Sequence, residues 1–342
     1  MPATPQPDRL REYYWAIQSP PLFDETYLNR FMAYHTLVSP SVTLWRPIST
    51  GIQAPGRDQS VLSERLTRTL SGQASHFLGA RFESLWQVFF RLHPDYRLLH
   101  HNLQVFGQSA LKKKPATLGE FDFLVSQPTA HTTWHIETTV KYYLGLPEEK
   151  CRAPDQDLKT QWLGPNCIDT LERKLISTLS RQLKLSETPA ARKLLEQLNI
   201  PAPHPALLTR GELFSPLMIP EAQDWEPEEG LHINPTLRWT RQSNLSPALE
   251  YLAQRFGATQ WAPLTKAEWL GLTQYPENHF QKWRPWATRR QEILDLIEKE
   301  HRPWLLAGLM PAVTTDSTPP DSILQQVCRL FITPDDWPQS RP

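Results

Sequence analysis

The stretch from Gly119 to Lys141 constrains this chain most. Gly119-Glu120-Phe121-Asp122-Phe123-Leu124-Val125 and Trp134-His135-Ile136-Glu137-Thr138-Thr139-Val140-Lys141 are rich in aromatic and β-branched residues. Ser126-Gln127-Pro128-Thr129-Ala130 separates them and carries a turn signal. Two strands joined by a short connection are expected. Side chains alternate across a strand, so Phe121, Phe123 and Val125 share one face, and Glu120, Asp122 and Leu124 the other. In the second strand His135, Glu137, Thr139 and Lys141 share a face. Paired as a hairpin, the strands place Asp122, Glu137 and Lys141 together. Two carboxylates beside an ammonium suit a divalent metal and an activated water. The same residues also suit an ordinary solvated sheet face with cross-strand ion pairs.

The rest of the composition narrows the function. The chain has 342 residues, 39% of them hydrophobic, which is enough for a substantial core. Lys+Arg and Asp+Glu both total 36, so the net charge is zero and any electropositive site must be local. Lys112-Lys113-Lys114 is the densest basic cluster. Cys151, Cys167 and Cys328 show neither metal-finger spacing nor a disulfide framework, which fits a reducing cytoplasm. The N-terminus has no signal-peptide pattern, and no apolar run approaches the ~20 residues of a membrane span. A cytoplasmic chain with no membrane partner is expected. The thirteen glycines form no phosphate loop, and G-x-S-x-G and H-E-x-x-H are absent. This argues against P-loop NTPases, dinucleotide oxidoreductases, α/β-hydrolases and zincins, and no nucleotide cofactor is expected.

Taken in order, residues 1–70 form a mostly helical N-terminal extension, with helical patterns at Leu10–Trp15, Glu25–Leu37 and Ser60–Leu70 and a loop over Ser39–Pro55. Ser75 to Leu92 repeats Phe77, Leu78, Phe82, Leu85, Trp86 and Phe89 at helical spacing, so this helix is expected to be buried. Glu83 lies inside it. Two readings stand: a flank position in solvent or a salt bridge, or an acid aimed at the hairpin. Leu98–Phe106 reads as a strand. After the hairpin, Asn166–Leu185 reads as a helix with Asp169 near its N-terminus, and it carries Lys174 and Arg181. Thr188–Leu198 reads as a short helix and Ala206–Phe214 as a strand. Residues 71–215 thus form an α/β core. Residues 216–342 form an α+β extension, with strands at Thr236–Thr240, Gln260–Leu264, Trp304–Leu309 and Arg329–Thr333 and helices at Lys266–Leu272 and Thr288–Glu300.

The order is a helix with Glu83, a strand, a strand with Gly119-Glu120-Phe121-Asp122, a strand with Glu137 and Lys141, and a helix. It resembles the PD-(D/E)XK nuclease-like superfamily, whose restriction-endonuclease-like core is a mixed central sheet flanked by helices. At closer range Gly119–Leu124, His135–Leu144, Leu163-Gly164-Pro165-Asn166 with Asp169, and Pro334-Asp335-Asp336-Trp337-Pro338 resemble the bacterial family of domain of unknown function DUF1853, which is placed in that superfamily. The resemblance implies a fold in which Asp122 and Glu137 match the two metal-ligand acids and Glu83 the first-helix acid. It implies Mg²⁺ or Mn²⁺ as cofactor, DNA or RNA as partner, and phosphodiester hydrolysis as the reaction. Lys112, Lys113, Lys114, Lys174 and Arg181 are the candidate phosphate contacts. The usual Glu-x-Lys spacing is not kept. Thr139 stands at that position and Lys141 two residues later, roughly 13 Å along a strand from Glu137. Lys141 either leans back to the acids or leaves the role to Lys174. A nuclease-like fold that binds without cutting is the alternative. His100, His101 and His135 are weaker metal-ligand candidates, and Trp283-Arg284-Pro285-Trp286 with Arg289-Arg290 is the one aromatic-basic cluster.

Overall fold

The computed structural model describes residues 9–37, 42–47, 59–71, 77–107, 116–146, 162–217, 228–276, 286–312 and 323–338. The elements are, in order, α1 (Arg9–Gln18), α2 (Glu25–Tyr34), β1 (Thr43–Leu44), α3 (Gln59–Ser71), α4 (Leu78–Leu92), β2 (Arg97–Gly107), β3 (Ala116–Gln127), β4 (Thr132–Gly145), β5 (Trp162–Leu163), α5 (Leu171–Ser177), α6 (Pro189–Gln197), β6 (His204–Pro216), β7 (Leu237–Arg241), α7 (Leu245–Phe256), β8 (Gln260–Pro263), β9 (Gln274–Pro276), α8 (Trp286–Glu300), β10 (Trp304–Pro311) and β11 (Ile323–Thr333). The fold is α/β, with mixed sheet flanked by helices. No described helix is long and apolar enough to cross a membrane.

The chain divides into two compact units. The first is Met1–Val140, Arg173–Gly211 and Glu229–Leu231; the second is Lys141–Glu172, Glu212–Glu228 and His232–Pro342. In the first unit the strand order is β2-β3-β4-β6, antiparallel from β2 to β4, with β1 parallel to β6. Its core is aromatic. Phe82, Trp86, Phe89 and Phe90 of α4 are almost fully buried, each stabilising the fold by roughly 1.5–3 kcal/mol. Trp45 packs edge-on against Trp86 at 5.5 Å, and Phe90 meets Phe123 of β3 at 5.2 Å. Glu12 of α1 grips Arg81 of α4 through two bonds of 2.7 and 2.8 Å. On the other side of β2 and β3, Val105, Phe121 and Leu124 pack with Leu185 and with Ala191 and Leu195 of α6.

The second unit holds β6, β7, β11, β10 and β8 in that order, the first three parallel and the rest antiparallel. Leu245, Ala248, Leu249 and Leu252 of α7 pack with Ile293 and Ile297 of α8 and with Leu306, Leu330 and Ile332. α7 is not among the expected elements. It ends at Gly257, whose φ of 74 is one that residues with a Cβ rarely adopt.

Most expected elements are present, and three differ. The helix expected from Asn166 starts at Leu171, because Gly164 N–H closes on the Asp169 carbonyl at 2.7 Å and Cys167 takes a φ of 57. Asp169 therefore belongs to a turn. The helix expected over Lys266–Leu272 is one 3₁₀ turn, Lys266–Trp269, held by a capping box between Thr265 and Glu268. The expected loop at Ser39–Pro55 contains β1 at its described centre.

Candidate functional site

The acids meet in the first unit, where β2 and β3 turn over. The ladder partners His101 and Phe123 stack at 4.7 Å on the α4 side. Two residues along, Leu103 and Phe121 are also partners, yet they pack with Leu124 and Leu185 on the α6 side. Strict alternation puts Phe121 and Phe123 on one face; here they lie on opposite faces. Between the two pairs, Asn102 holds a left-handed backbone with φ 54, which asparagine tolerates. Asp122 stands at the turnover itself. The β3–β4 ladder runs from Gln127↔Thr132 to Phe123↔Ile136, so Asp122 and Glu137 are the next residues of each strand. The Asp122 carboxylate accepts the backbone N–H of Thr138 at 2.8 Å and its hydroxyl at 3.0 Å. It occupies the role of a ladder carbonyl.

Glu137 is buried and held at both oxygens. Oε1 accepts from His135 Nε2 at 2.8 Å, and Oε2 accepts from Gln182 Nε2 at 2.8 Å. Burial pushes His135 down to about 4, so the ring is neutral near pH 7 and its Nε2 carries the proton. The amide oxygen of Gln182 accepts from Lys174 Nζ at 3.0 Å and from the Thr178 hydroxyl at 2.9 Å. α5 continues as a π-turn over Thr178–Gln182, closed by the Leu183 N–H on the Thr178 carbonyl at 2.9 Å. Glu83 sits on the flank of α4, half-buried, because its neighbours Phe82, Leu85 and Trp86 take the core face.

The electrostatics are under-compensated. Burial, then the charges of Asp122, Glu120 and Glu137, raise Glu83 to about 7, against a hydrogen bond from Asn102. Burial and then Glu137 raise Asp122 to about 7, opposed by the Thr138 bonds and Lys174. Burial raises Glu137 to about 7, with Glu120 adding to it and Lys174, the Asp122 backbone and Arg181 opposing. Among the described residues, Glu83, Glu120, Asp122 and Glu137 thus act on one another, with Lys174 and Arg181 opposing. A carboxyl held near neutrality by burial and like charge is a mark of a ligand or reaction site.

With that geometry in hand, the profile of the family described as domain of unknown function (DUF1853) matches residues 11–332. The chain belongs to this family. No curated protein and no solved structure matches it.

In this DUF1853 chain the structure brings together Glu83, Asp122, Glu137 and Lys174, with Arg181 beside Glu137. Lys141 is spent elsewhere. Its ammonium pairs with Asp169 at 2.6 Å, and the Tyr143 hydroxyl donates to the same oxygen at 3.3 Å. The reason is the spacing: two residues beyond the usual position, the strand carries Lys141 away along its axis. Lys112, Lys113 and Lys114 lie outside the described residues, as do Trp283, Arg284 and Pro285. His101 bonds Gln87 at 2.8 Å and His135 bonds Glu137, so both histidines have protein partners. Gln182, Thr138 and Asn102 carry no signal in the sequence; each acquires its role from backbone geometry.

Among the described residues no group of three or more His, Cys, Asp or Glu side chains is arranged to hold a metal ion. The acids are near enough to repel, but Asp122 and Glu137 are each tied to protein donors. A divalent cation here would rest on Asp122 and Glu137 with water completing its shell. Carboxylate oxygens are hard donors, the kind that Mg²⁺ and Mn²⁺ take.

Proposed function

We propose that this chain is a PD-(D/E)XK-type nuclease that hydrolyses phosphodiester bonds of DNA or RNA with Mg²⁺ or Mn²⁺ held by Asp122 and Glu137. One observation carries the reading. Glu83, Asp122 and Glu137 come from a helix and two adjacent strands in the order expected of such a centre, and burial with like charge nearby raises all three to about 7. The bound metal supplies charge neutralisation at the phosphate and a more acidic water.

The side chains divide the remaining work. Glu83, poised near neutrality, accepts the proton of the attacking water. Lys174 takes the role that Lys141 leaves, offering positive charge to the phosphate oxygens in the transition state. Arg181 and the basic Lys112–Lys114 run hold the backbone without reading bases. The water oxygen bonds to phosphorus as the ester bond breaks, and the leaving alkoxide takes a proton from solvent water, while Glu83 returns its own proton to solvent.

A second reading has its own support. With Lys141 engaged by Asp169 and both Glu137 oxygens bonded to protein, a nuclease-like centre that binds nucleic acid or protein without cutting also fits. Plasmid nicking in Mg²⁺ or Mn²⁺ decides between them. Nicking that falls at least about a hundredfold in Asp122→Ala is the expected outcome. Nicking unchanged in that variant sinks the assignment, and no nicking by the wild-type protein favours the binding module.

A further inference from the structure

We propose that Gln182 is a positioning residue of this centre: its one amide holds the Lys174 ammonium at one end and the Glu137 carboxylate at the other, and so fixes the separation between them. The inference rests on reading the acid cluster as the reactive centre. The hydrogen bonds settle the amide's orientation. Oε1 takes the Lys174 ammonium at 3.0 Å and the Thr178 hydroxyl at 2.9 Å, both donors, so Nε2 faces Glu137 Oε2 at 2.8 Å. A glutamate in this place would set a carboxylate against Glu137; a leucine would remove the bridge between the two.

The π-turn makes this bridge possible. Residues eight apart on an α-helix differ by about 80° around the axis, at 3.6 residues per turn. One extra residue in a π-turn removes about 100°, which returns position 182 to within about 20° of position 174. The separation along the axis is then about 10 Å, within reach of a lysine and a glutamine meeting end to end. The turn runs over Thr178–Gln182, and Thr178, which opens it, also bonds the amide.

Without the spacer, Lys174 closes on Glu137 as a direct ion pair and competes with a cation for that carboxylate. The test has two independent readouts. In metal-free protein labelled with ¹⁵N-lysine, the Lys174 ammonium signal, assigned by its loss in Lys174→Met, should move or be lost to exchange in Gln182→Leu. It should persist in Gln182→Glu, which keeps an acceptor for it. By calorimetry, Mn²⁺ should bind Gln182→Leu about tenfold more weakly, the size of a lost supporting contact. Adding Lys174→Met to that variant should restore the affinity, which a merely structural role does not predict. If Gln182→Leu does not fold, Gln182→Asn, one methylene too short to span both partners, is expected to behave the same way. An ammonium signal unmoved in the shortened variant, or an Mn²⁺ affinity that removal of Lys174 does not restore, overturns the role. If the wild-type protein binds no Mn²⁺, the proposed function fails instead, and the ammonium signal alone decides Gln182.

Discussion

Glu212 in the second unit and Glu137 in the first are both buried carboxylates on strands, and they are compensated in different ways. Glu212 faces Arg329, which is fully buried, at 2.8 Å. The same guanidinium donates to the Trp269 carbonyl at 2.9 Å, the Glu268 carbonyl at 3.4 Å, the Gly271 carbonyl and Gln326 at 3.2 Å. One guanidinium faces one carboxylate, and every guanidinium nitrogen is used. Glu137 is answered by two neutral donors, His135 and Gln182, while Glu83, Glu120 and Asp122 add like charge around it. The first arrangement closes a core. The second gathers like charge with Lys174 and Arg181 opposing it, and that contrast separates a structural ion pair from a candidate centre.

The most damaging way to break the comparison is Arg329→Met. It strands Glu212 in the core, and a loss of about 3–5 kcal/mol is expected in urea unfolding. Asp122→Asn, by contrast, relieves repulsion and should leave the metal-free protein as stable as wild type or more so at pH 8. A stability loss in Asp122→Asn as large as that in Arg329→Met would show that both sites are structural.

The two lysines sharpen the comparison next. On the proposed reaction, Lys174→Met should lower Mg²⁺-dependent nicking by about a hundredfold, the scale of a lost transition-state contact. Lys141→Met, which releases Asp169, should change nicking by a few-fold at most. The reverse order would return the role to Lys141.

The smallest expected effect is in pH. The folded-state values of Glu83, Asp122 and Glu137 are raised to about 7, above those of the unfolded chain. Their contribution to stability is fully present below the unfolded values and is lost as pH rises through 7. Burial lowers His93, His101 and His135, which gives the opposite slope below their ordinary value of 6.5. The clean window is therefore above pH 6.5. Metal-free protein should lose about 1 kcal/mol between pH 6.5 and 8, roughly 2–4 °C in melting temperature. Thermal melts in a chelator should show the slope flattened in Glu137→Gln and reversed by added Mn²⁺. A flat profile in the wild-type protein would mean that the acids do not repel.

Much of the fold is legible in residue order. The apolar stripe of α4, the β-branched and aromatic run of β4, and the Pro128 turn with His131 at φ 49 follow from local chemistry. So do the acids: Asp122 and Glu137 fall where two adjacent strands meet. The site's fine structure was not legible. Alternation puts Phe121 with Phe123, but the left-handed Asn102 turns both strands over, because α4 and α6 each claim one of the two aromatics. The helix expected from Asn166 was too long by its first turn, because a Gly164–Asp169 contact closes a turn that no helix propensity reveals. That same turn places Asp169 against Lys141.

The sequence by itself determined most of the longer strands, that α4 is buried, and that two acids lie on adjacent strands, because these depend on periods of two and 3.6 residues within one element. Only the tertiary structure decided how that hairpin is served. Lys174 stands by the acids and Lys141 does not, and Gln182 reaches both Lys174 and Glu137. The physical reason is that a π-turn and a strand turnover each change direction by a single residue. Such changes are selected by packing across elements and leave no periodic trace in the chain.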